Sequence, residues 1–322
     1  MSEVVVTCAL PGRALDRLRE RHEVRLREAG APLVGRELAA FTAGADALIC
    51  LLGDRVTADV FALCPRLRVV ANYAVGYDNV DLEAASAAGV FVTNTPDVLT
   101  EATADLTWAL ILAVARRVVE GDRLLRAGEF VGWGPAFLLG AGLQGRTLGI
   151  VGMGRIGRAV ARRAAGFGMR VLYHGPTPGG EGAIAEHVAD LDTLLARSQV
   201  LSLHCPLTPR TRRLMDARRL HLLPRGALLV NTSRGEVVDE AALVAALEDG
   251  HLGGAGLDVY EDEPRIHPGL PGRSDVVLLP HLGSATVEAR TAMADLAVEN
   301  VLLVLGGAAP RTPVVTPPVP RR

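Results

Sequence analysis

The sequence predicts an α/β fold with two doubly wound parallel-sheet domains, and two observations support this fold class. Short apolar runs rich in β-branched residues alternate with helical stretches along nearly the whole chain. This rhythm breaks at Thr95-Pro96-Asp97 and resumes at Thr147, which separates two series of elements. The chain has 322 residues, of which 49% are hydrophobic and 22% charged, and this length suggests about two domains.

The first series of elements indicates a buried parallel sheet with helices on both faces. Its strands are predicted at residues 4–10, 46–52, 67–73 and 90–95. Its helices are predicted at residues 12–20, 35–43, 57–64 and 81–88. A long apolar-faced helix should follow at about 98–119, where the closing Arg116-Arg117 suits the negative end of a helix dipole. Residues 128–146 are glycine-rich and show no clear period.

The second series begins at Thr147. Its strands are predicted near residues 147–152, 170–174, 200–206, 227–233, 254–260 and 276–281. A helix at about 285–306 follows, and the proline-rich tail 310–322 is expected to lack regular structure. Because long helices bracket this series, the chain should leave the first domain and return to it. We therefore predict a discontinuous domain of residues 1–98 and 287–322, and a second domain of residues 99–286.

The composition excludes several classes of chemistry and of partner. All 34 basic residues are arginine, so Schiff-base lysine catalysis, the P-loop lysine and Ser-x-x-Lys acylation are excluded. The formal net charge of −2 gives no electrostatic reason to expect nucleic acid or an anionic membrane as a partner.

The cysteines and the apolar runs indicate a cytoplasmic protein without a metal. Cys8, Cys50, Cys64 and Cys205 are widely spaced, which argues against structural zinc and disulfides and fits a reducing compartment. The first residues carry an acid where a signal peptide needs basic residues. The longest strongly apolar run, 106–115, is too short to cross a bilayer.

A glycine motif opens the second series and predicts a Rossmann dinucleotide-binding unit. Gly152, Gly154 and Gly157 form Gly-x-Gly-x-x-Gly between a predicted strand and a predicted helix, and a second strand closes the unit. The first glycine permits the tight turn, the second lets backbone N–H groups approach a pyrophosphate, and the third lets the helix pack on the strand. The alternative is a glycine turn in some other α/β protein.

The end of the next strand bears on which dinucleotide is bound. An acid there would select NAD, and a nearby arginine would accept the 2′-phosphate of NADP. The sequence has neither, since it reads His174-Gly175-Pro176-Thr177, with Gly175 at the acid's expected place. Because no carboxylate repels a phosphate and His174 and Thr177 can each donate to one, NADP is slightly favoured over NAD. A loop that discriminates poorly is the alternative.

Three strands of the second series end in polar residues, where open α/β sheets place their sites. These residues are Arg234, Glu263 and His281. Taken singly, they fit a surface cation, a solvated acid and a loop histidine. Their convergence on one sheet edge beside a dinucleotide turn favours a catalytic site.

Several segments together resemble the D-2-hydroxyacid dehydrogenase family, most closely its glyoxylate/hydroxypyruvate reductase branch. The resemblance covers about residues 45–310 and rests on the Gly152 turn and on residues 72–81, 92–105, 231–235, 254–264 and 280–284. It implies a flavodoxin-like substrate domain for the discontinuous part of the chain and a Rossmann domain for the rest.

The resemblance implies a catalytic triad. Arg234 would bind the carboxylate and carbonyl oxygen of a 2-oxo acid, because a guanidinium fork matches a carboxylate bidentately. His281 would protonate the developing alkoxide as the general acid. Glu263 would bind the other imidazole nitrogen, which fixes the tautomer and favours the protonated form.

The resemblance also implies the remaining contacts. Backbone N–H groups of Leu52-Gly53 and Val75-Gly76 would bind the substrate carboxylate in a cleft between the domains. Positions that match cofactor contacts are Thr103, Arg155, Ile156, Cys205, Pro206, Thr211, Thr232, Asp258 and Gly283. The glycine-rich segment around Trp133 resembles an arm for homodimerisation, and its ring could reach the partner's cleft or simply pack in an interface or core.

Two departures from the family pattern bear on the cofactor and on the activity. The reductase branch often has an arginine just after the second strand, where this chain has Gly175-Pro176, and this departure weighs against a preference for NADP. Phosphite dehydrogenases place a lysine where this chain has Val75, so phosphite dehydrogenase activity is not expected. The expected reactions are glyoxylate to glycolate and hydroxypyruvate to D-glycerate. A dehydrogenase of a bulkier 2-oxo acid is the alternative, and an NAD(H)-sensing, corepressor-like binding protein is a more distant one.

Overall fold

The computed structural model describes residues 1–28, 30–176 and 184–321. The chain divides into two compact units, Met1–Leu99 with Ala285–Arg322 (unit 1) and Thr100–Ser284 (unit 2). Each unit is built on its own sheet with helices on both faces. The predicted fold class is confirmed, whereas the assignment of a substrate role and a cofactor role to the two units stays a prediction here.

The elements follow one another along the chain in an α/β order. The strands are β1 (Glu3–Val6), β2 (Glu23–Leu26), β3 (Ala47–Cys50), β4 (Val69–Asn72), β5 (Phe91–Thr93), β6 (Thr147–Val151), β7 (Arg170–His174), β8 (Glu186–His187), β9 (Val200–Leu203), β10 (Ala227–Asn231), β11 (Leu252–Leu257), β12 (Val276–Leu278) and β13 (Pro313–Val315). The α-helices are α1 (Ala14–Arg19), α2 (Arg36–Thr42), α3 (Ala58–Leu63), α4 (Leu82–Ala87), α5 (Thr100–Ala115), α6 (Val118–Arg126), α7 (Arg155–Ala164), α8 (Leu191–Arg197), α9 (Ala217–Leu222), α10 (Glu240–Glu248) and α11 (Val287–Leu305).

Unit 1 has the strand order β13-β5-β4-β3-β1-β2, in which all strands except β13 are parallel. The order of β1 to β5 is that of flavodoxin-like folds. Its topological switch point lies between β1 and β3, where consecutive connections run to opposite sides of the sheet. Ligands of such sheets bind at the carboxyl ends of the strands beside this point, which in unit 1 is where Leu52-Gly53 follow β3.

Unit 2 has the order β12-β11-β10-β9-β6-β7-β8, and all its strands are parallel. Strands β6, β9 and β10 are buried along their whole length, as expected for a sheet covered on both faces. One face packs against α5 and α7, where Trp108 stacks on Phe167 at 4.3 Å and its indole N–H donates to the Val160 carbonyl at 3.1 Å. The switch point lies between β6 and β9.

The expectation that residues 310–322 lack regular structure is wrong. Residues Pro313–Val315 form β13, which pairs antiparallel with β5. The reason is a long-range contact from α11: the side-chain oxygen of Asn300 accepts hydrogen bonds from the backbone N–H groups of Arg311 (2.8 Å) and Thr312 (3.1 Å). Local composition does not reveal such a partner.

The single long helix expected at about 98–119 is also wrong. Helix α5 ends at Ala115, and α6 begins after Arg117, whose φ of 53° lies in the left-handed region. The Arg117 guanidinium bonds to Glu120 at 2.6 and 2.7 Å, which stabilises the new start. The arginine pair therefore marks a break between two helices. In the described residues, no helix is long and apolar enough to cross a membrane.

Candidate active site

The glycine turn after β6 has the geometry that its sequence predicts. Gly152 has φ 98°, and a Cβ there would lie 2.6 Å from the backbone of His204 and Cys205. A Cβ on Gly157 would lie 2.2 Å from the Gly152 carbonyl oxygen, so α7 can approach the turn only with glycine at this position. At Gly154, which precedes α7, a Cβ would project into open space. That space at a helix N-terminus fits a pyrophosphate.

The first residues of α7 and the end of β7 lie at the same carboxyl edge. Arg155 is exposed and Ile156 half-buried in the first turn of α7. The His174 Nδ1 lies 3.1 Å from the Val188 carbonyl oxygen and therefore donates to it, which leaves Nε2 for a ligand. Among the described residues, a Cβ on Gly175 would come no closer than 3.8 Å to any neighbour. Thr177 lies outside the described residues.

The loop after β9 lies across the switch point from the glycine turn, and its residues His204 and Cys205 contact Gly152. The His204 N–H donates to the Val151 carbonyl at 2.8 Å, and the Thr211 hydroxyl closes the loop on the Pro206 carbonyl at 2.6 Å. Burial raises the pKa of the Cys205 thiol to about 11, so the thiol is neutral near pH 7. Burial likewise lowers the pKa of His204 to about 3. His204 is absent from the predicted site residues, although it directly precedes Cys205.

Asp258 directly follows β11 and connects this segment to the end of β10 and to the residues after β12. Its carboxylate, which is buried, accepts the backbone N–H groups of Leu282 (2.6 Å) and Gly283 (2.7 Å). Its backbone carbonyl accepts the His281 N–H at 2.9 Å, and its own N–H donates to Asn231 at 3.0 Å. Burial raises the pKa of the Asp258 carboxyl, while the two N–H donors and nearby His281 oppose that rise.

A chain of threonine hydroxyls connects α5 to the ends of β10 and β12. The Thr103 hydroxyl donates to the Gly283 carbonyl at 3.0 Å, and the Thr107 hydroxyl donates to the Thr103 carbonyl at 2.8 Å. Because Thr107 has only one hydroxyl hydrogen, Thr232 must donate in the 2.9 Å contact between the Thr107 and Thr232 hydroxyls. Thr107 is not among the predicted site residues, and its spacing of four from Thr103 is the signal that places both on one helix face.

The predicted histidine–carboxylate pair is present after β11 and β12. The His281 Nδ1 lies 2.9 Å from Glu263 Oε2, and both side chains are partly exposed. A carboxylate can only accept, so Nδ1 donates to it and Nε2 remains to carry an exchangeable proton. The other Glu263 oxygen accepts the Tyr260 N–H at 3.1 Å, which orients the carboxylate.

The Arg234 loop lies directly against the Glu263 loop. A Cβ on Gly235 would lie 1.8 Å from the Tyr260 carbonyl carbon, so only glycine permits this approach. The Asn231 side-chain amide donates to the Arg234 carbonyl at 2.8 Å, and the Arg234 guanidinium donates to the Ser233 carbonyl at 2.7 Å. The structure thus brings the Arg234, Glu263 and His281 loops together at one edge of unit 2.

Glu240 stabilises the loop that carries Glu263, and it is not among the predicted site residues. It lies buried at the start of α10, and its carboxylate accepts the backbone N–H groups of Glu261 (2.7 Å) and His267 (3.2 Å). These residues flank Glu263 in the acidic loop. Burial raises the pKa of Glu240, and the two N–H donors oppose that rise.

The four residues predicted to bind the substrate carboxylate belong to unit 1. Leu52 and Gly53 follow β3, whereas Val75 and Gly76 follow β4. Within the described residues, none of their four backbone N–H groups donates a hydrogen bond. Such N–H groups at a turn form a concave site for an anion. The described residues also contain no cluster of three or more His, Cys, Asp or Glu that could hold a metal ion.

Known proteins match the chain over nearly its full length. The family model for the NAD-binding domain of D-isomer specific 2-hydroxyacid dehydrogenases matches residues 108–283. Curated glyoxylate reductases of Thermococcus onnurineus and Pyrococcus furiosus are 47% and 46% identical, over 96% of this chain and 95% and 94% of their own lengths.

Solved structures give the same result. A protein of Thermus thermophilus has a TM-score of 0.90 at 52% identity, over 97% of this chain and 100% of that chain. An NADPH-dependent glyoxylate/hydroxypyruvate reductase from Sinorhizobium meliloti, solved with NADP and malonate, has a TM-score of 0.89 at 38% identity, over 100% of this chain and 99% of that chain. These matches confirm the family that the sequence predicts. The chain belongs to the D-isomer specific 2-hydroxyacid dehydrogenases, in their glyoxylate reductase branch, and is an oxidoreductase with a nicotinamide dinucleotide cofactor.

Proposed function

We propose that this enzyme reduces glyoxylate to glycolate and hydroxypyruvate to D-glycerate. The observation that carries the proposal is the His281–Glu263 pair at 2.9 Å, with the Arg234 loop packed against the Glu263 loop through Gly235. An imidazole whose Nδ1 is held by a carboxylate is a general acid with a defined Nε2 proton. The names of the relatives support a small 2-oxo acid as the substrate.

In the proposed mechanism each side chain acts on one part of the substrate. The Arg234 guanidinium binds the carboxylate and carbonyl oxygen of the 2-oxo acid, and the N–H groups of Leu52-Gly53 and Val75-Gly76 bind the carboxylate. The bound cofactor supplies a hydride for the carbonyl carbon. The Nε2 of His281 then donates its proton to the carbonyl oxygen as negative charge develops there, while Glu263 keeps Nδ1 protonated.

We further propose NADP as the preferred cofactor. It would contact the glycine turn and the end of β7, and also the positions that match cofactor contacts of the family. These residues are Gly152, Gly154, Gly157, His174, Gly175, Thr103, Arg155, Ile156, Cys205, Pro206, Thr211, Thr232, Asp258 and Gly283. In the described part of the β7 loop no carboxylate repels a 2′-phosphate. The NADP-bound relative from Sinorhizobium meliloti supports this preference.

We also propose that the protein is a homodimer and that it is located in the cytoplasm. The segment after α6 exposes several large apolar side chains, including Val131 (98% exposed) and Trp133 (84% exposed). Large apolar side chains exposed together in one segment support a protein interface there, and a second copy of this chain would cover them. The four cysteines are free, which suits a reducing compartment.

The first test is steady-state reduction of four 2-oxo acids by the purified enzyme with NADPH and with NADH. We expect turnover of glyoxylate and hydroxypyruvate at ordinary enzyme rates, about 1–10³ s⁻¹, and a higher kcat/KM with NADPH. Pyruvate and phenylpyruvate should react more slowly. Faster reduction of phenylpyruvate would instead support the bulkier 2-oxo acid, and no turnover of any acid would refute the proposal.

The second test removes the two side chains proposed to act on the substrate. His281→Asn should lower kcat by about 10²–10⁴-fold, because the proton donor is lost, while the Kd for NADPH stays unchanged. Arg234→Ala should raise KM and lower kcat together, since its interactions act in both ground and transition states. The control is His221→Asn, which removes an exposed histidine–carboxylate pair with Asp249 elsewhere in unit 2. A normal kcat in His281→Asn would refute the acid assignment.

The third test compares two glycines of the turn. Gly154→Ala should keep the wild-type melting temperature, because its Cβ meets nothing, but should raise the Kd for NADPH at least about tenfold by filling the pyrophosphate space. Gly157→Ala should lower the free energy of unfolding by about 1–3 kcal/mol, since its Cβ overlaps the Gly152 carbonyl. Calorimetry and cofactor titration measure both effects. Unchanged cofactor affinity in Gly154→Ala would contradict the assigned site.

A further inference from the structure

Two buried asparagines in unit 1 form a reciprocal amide pair. Asn72 ends β4, and Asn79 lies in the loop that follows it. The Asn72 Nδ2 donates to Asn79 Oδ1 at 3.2 Å, and the Asn79 Nδ2 donates to Asn72 Oδ1 at 3.1 Å. Asn72 is 0% and Asn79 6% exposed, so the pair is shielded from water. Hydrogen bonds are stronger in the low-dielectric interior than in water.

The remaining hydrogen of each amide goes to a segment already proposed to bind the substrate. Each side-chain amide has two N–H groups, of which the pair uses one. The Asn72 Nδ2 also donates to the Gly76 carbonyl at 2.7 Å. The Asn79 Nδ2 also lies 3.1 Å from the Leu51 carbonyl oxygen and 3.0 Å from that of Asp54. The amide pair therefore connects the segment 75–76 to the segment 51–54.

The buried carboxylate of Asp54 fixes the second segment from its other side. One of its oxygens accepts the Leu51 N–H at 2.9 Å and the Thr7 hydroxyl at 2.5 Å, and the other accepts the Leu33 N–H at 2.9 Å. The turn thus directs the Leu51 N–H to Asp54. In the described chain, the N–H groups of Leu52 and Gly53 have no acceptor.

The segment at Val75 is fixed by a side-chain amide that donates to its backbone carbonyl. The Asn94 side-chain amide donates to the Val75 carbonyl at 2.8 Å, as Asn72 does to Gly76. Asparagine side chains thus bind the carbonyl groups on both segments. The four neighbouring N–H groups are left for an anionic ligand, and the amide pair links the two segments that carry them.

We propose that Asn79 is a positioning residue for substrate binding, which through Asn72 and the carbonyls of Leu51 and Asp54 sets the separation of the two N–H pairs to fit one carboxylate. The inference rests on the proposed function of those N–H groups. Asn79 does not touch the substrate. Its effect is preorganisation, since displacing binding groups by about 1 Å can reduce their contribution many-fold.

The test compares Asn79→Ala with Asn300→Ala, a matched control. Asn300 is also a fully buried asparagine of unit 1, but its side chain holds the backbone of Arg311 and Thr312. Both variants should lose thermal stability, because each leaves buried backbone groups without partners. Only Asn79→Ala should raise the KM for glyoxylate and the inhibition constant of malonate, about tenfold each. The Kd for NADPH should stay at the wild-type value in both variants.

A second variant keeps the inference falsifiable if Asn79→Ala does not fold. Asn94→Ala removes only the hydrogen bond to the Val75 carbonyl and should raise the KM for glyoxylate by a smaller factor, with cofactor affinity unchanged. A wild-type KM and malonate affinity in folded Asn79→Ala would overturn the inference, and so would the same result in Asn94→Ala where Asn79→Ala does not fold. In either case wild-type turnover leaves the proposed function intact. If the wild-type enzyme reduces no 2-oxo acid, the proposed function fails and the inference fails with it.

Discussion

The buried carboxylate of Asp258 is the constraint on which the proposed catalytic edge of unit 2 depends. It accepts two backbone N–H groups from residues 282 and 283, and its main chain bonds to Asn231 and His281. Leaving the buried Gly283 N–H unpaired would cost about 1–3 kcal/mol. Both N–H donors also oppose the desolvation that raises the pKa of this carboxyl. Asp258 therefore fixes residues 281–283 through its side chain and its carbonyl, and it contacts Asn231, three residues before Arg234, through its backbone N–H.

Around Asp258, polar side chains hold backbone groups in place and leave the reacting groups accessible. Glu240 holds the N–H groups that flank Glu263, and a Cβ-free Gly235 lets the arginine loop approach Tyr260. Asp54 holds the Leu51 turn in unit 1 in the same way. Glu240 and Asp54 thus satisfy main-chain groups of a loop, which would otherwise need water or regular secondary structure to pair them.

The sequence predicted the features that local pattern or motif encodes. Parallel strands read as apolar runs, and the glycine turn and the triad lie in segments whose residues match a known family. It missed β13 and the break before α6, because the Asn300 contact and the left-handed Arg117 are tertiary and conformational effects. Glu240 and Asn79 were missed because each acts on the backbone of a distant segment, which composition and periodicity do not report. Thr107 was missed because its partner in another segment is the Thr232 hydroxyl, although its spacing from Thr103 places both on one helix face. The cofactor contact of Asp258 stays a prediction, since the structure assigns its carboxylate to backbone N–H groups.

The configuration of the glycerate formed from hydroxypyruvate tests the central claim most directly. If Arg234 fixes the carboxylate and carbonyl oxygen while His281 protonates that oxygen, the carbonyl presents one face only to the hydride. Chiral chromatography of the product should then show D-glycerate alone, as expected for a D-isomer specific enzyme. L-glycerate, or a mixture of both enantiomers, would contradict the account.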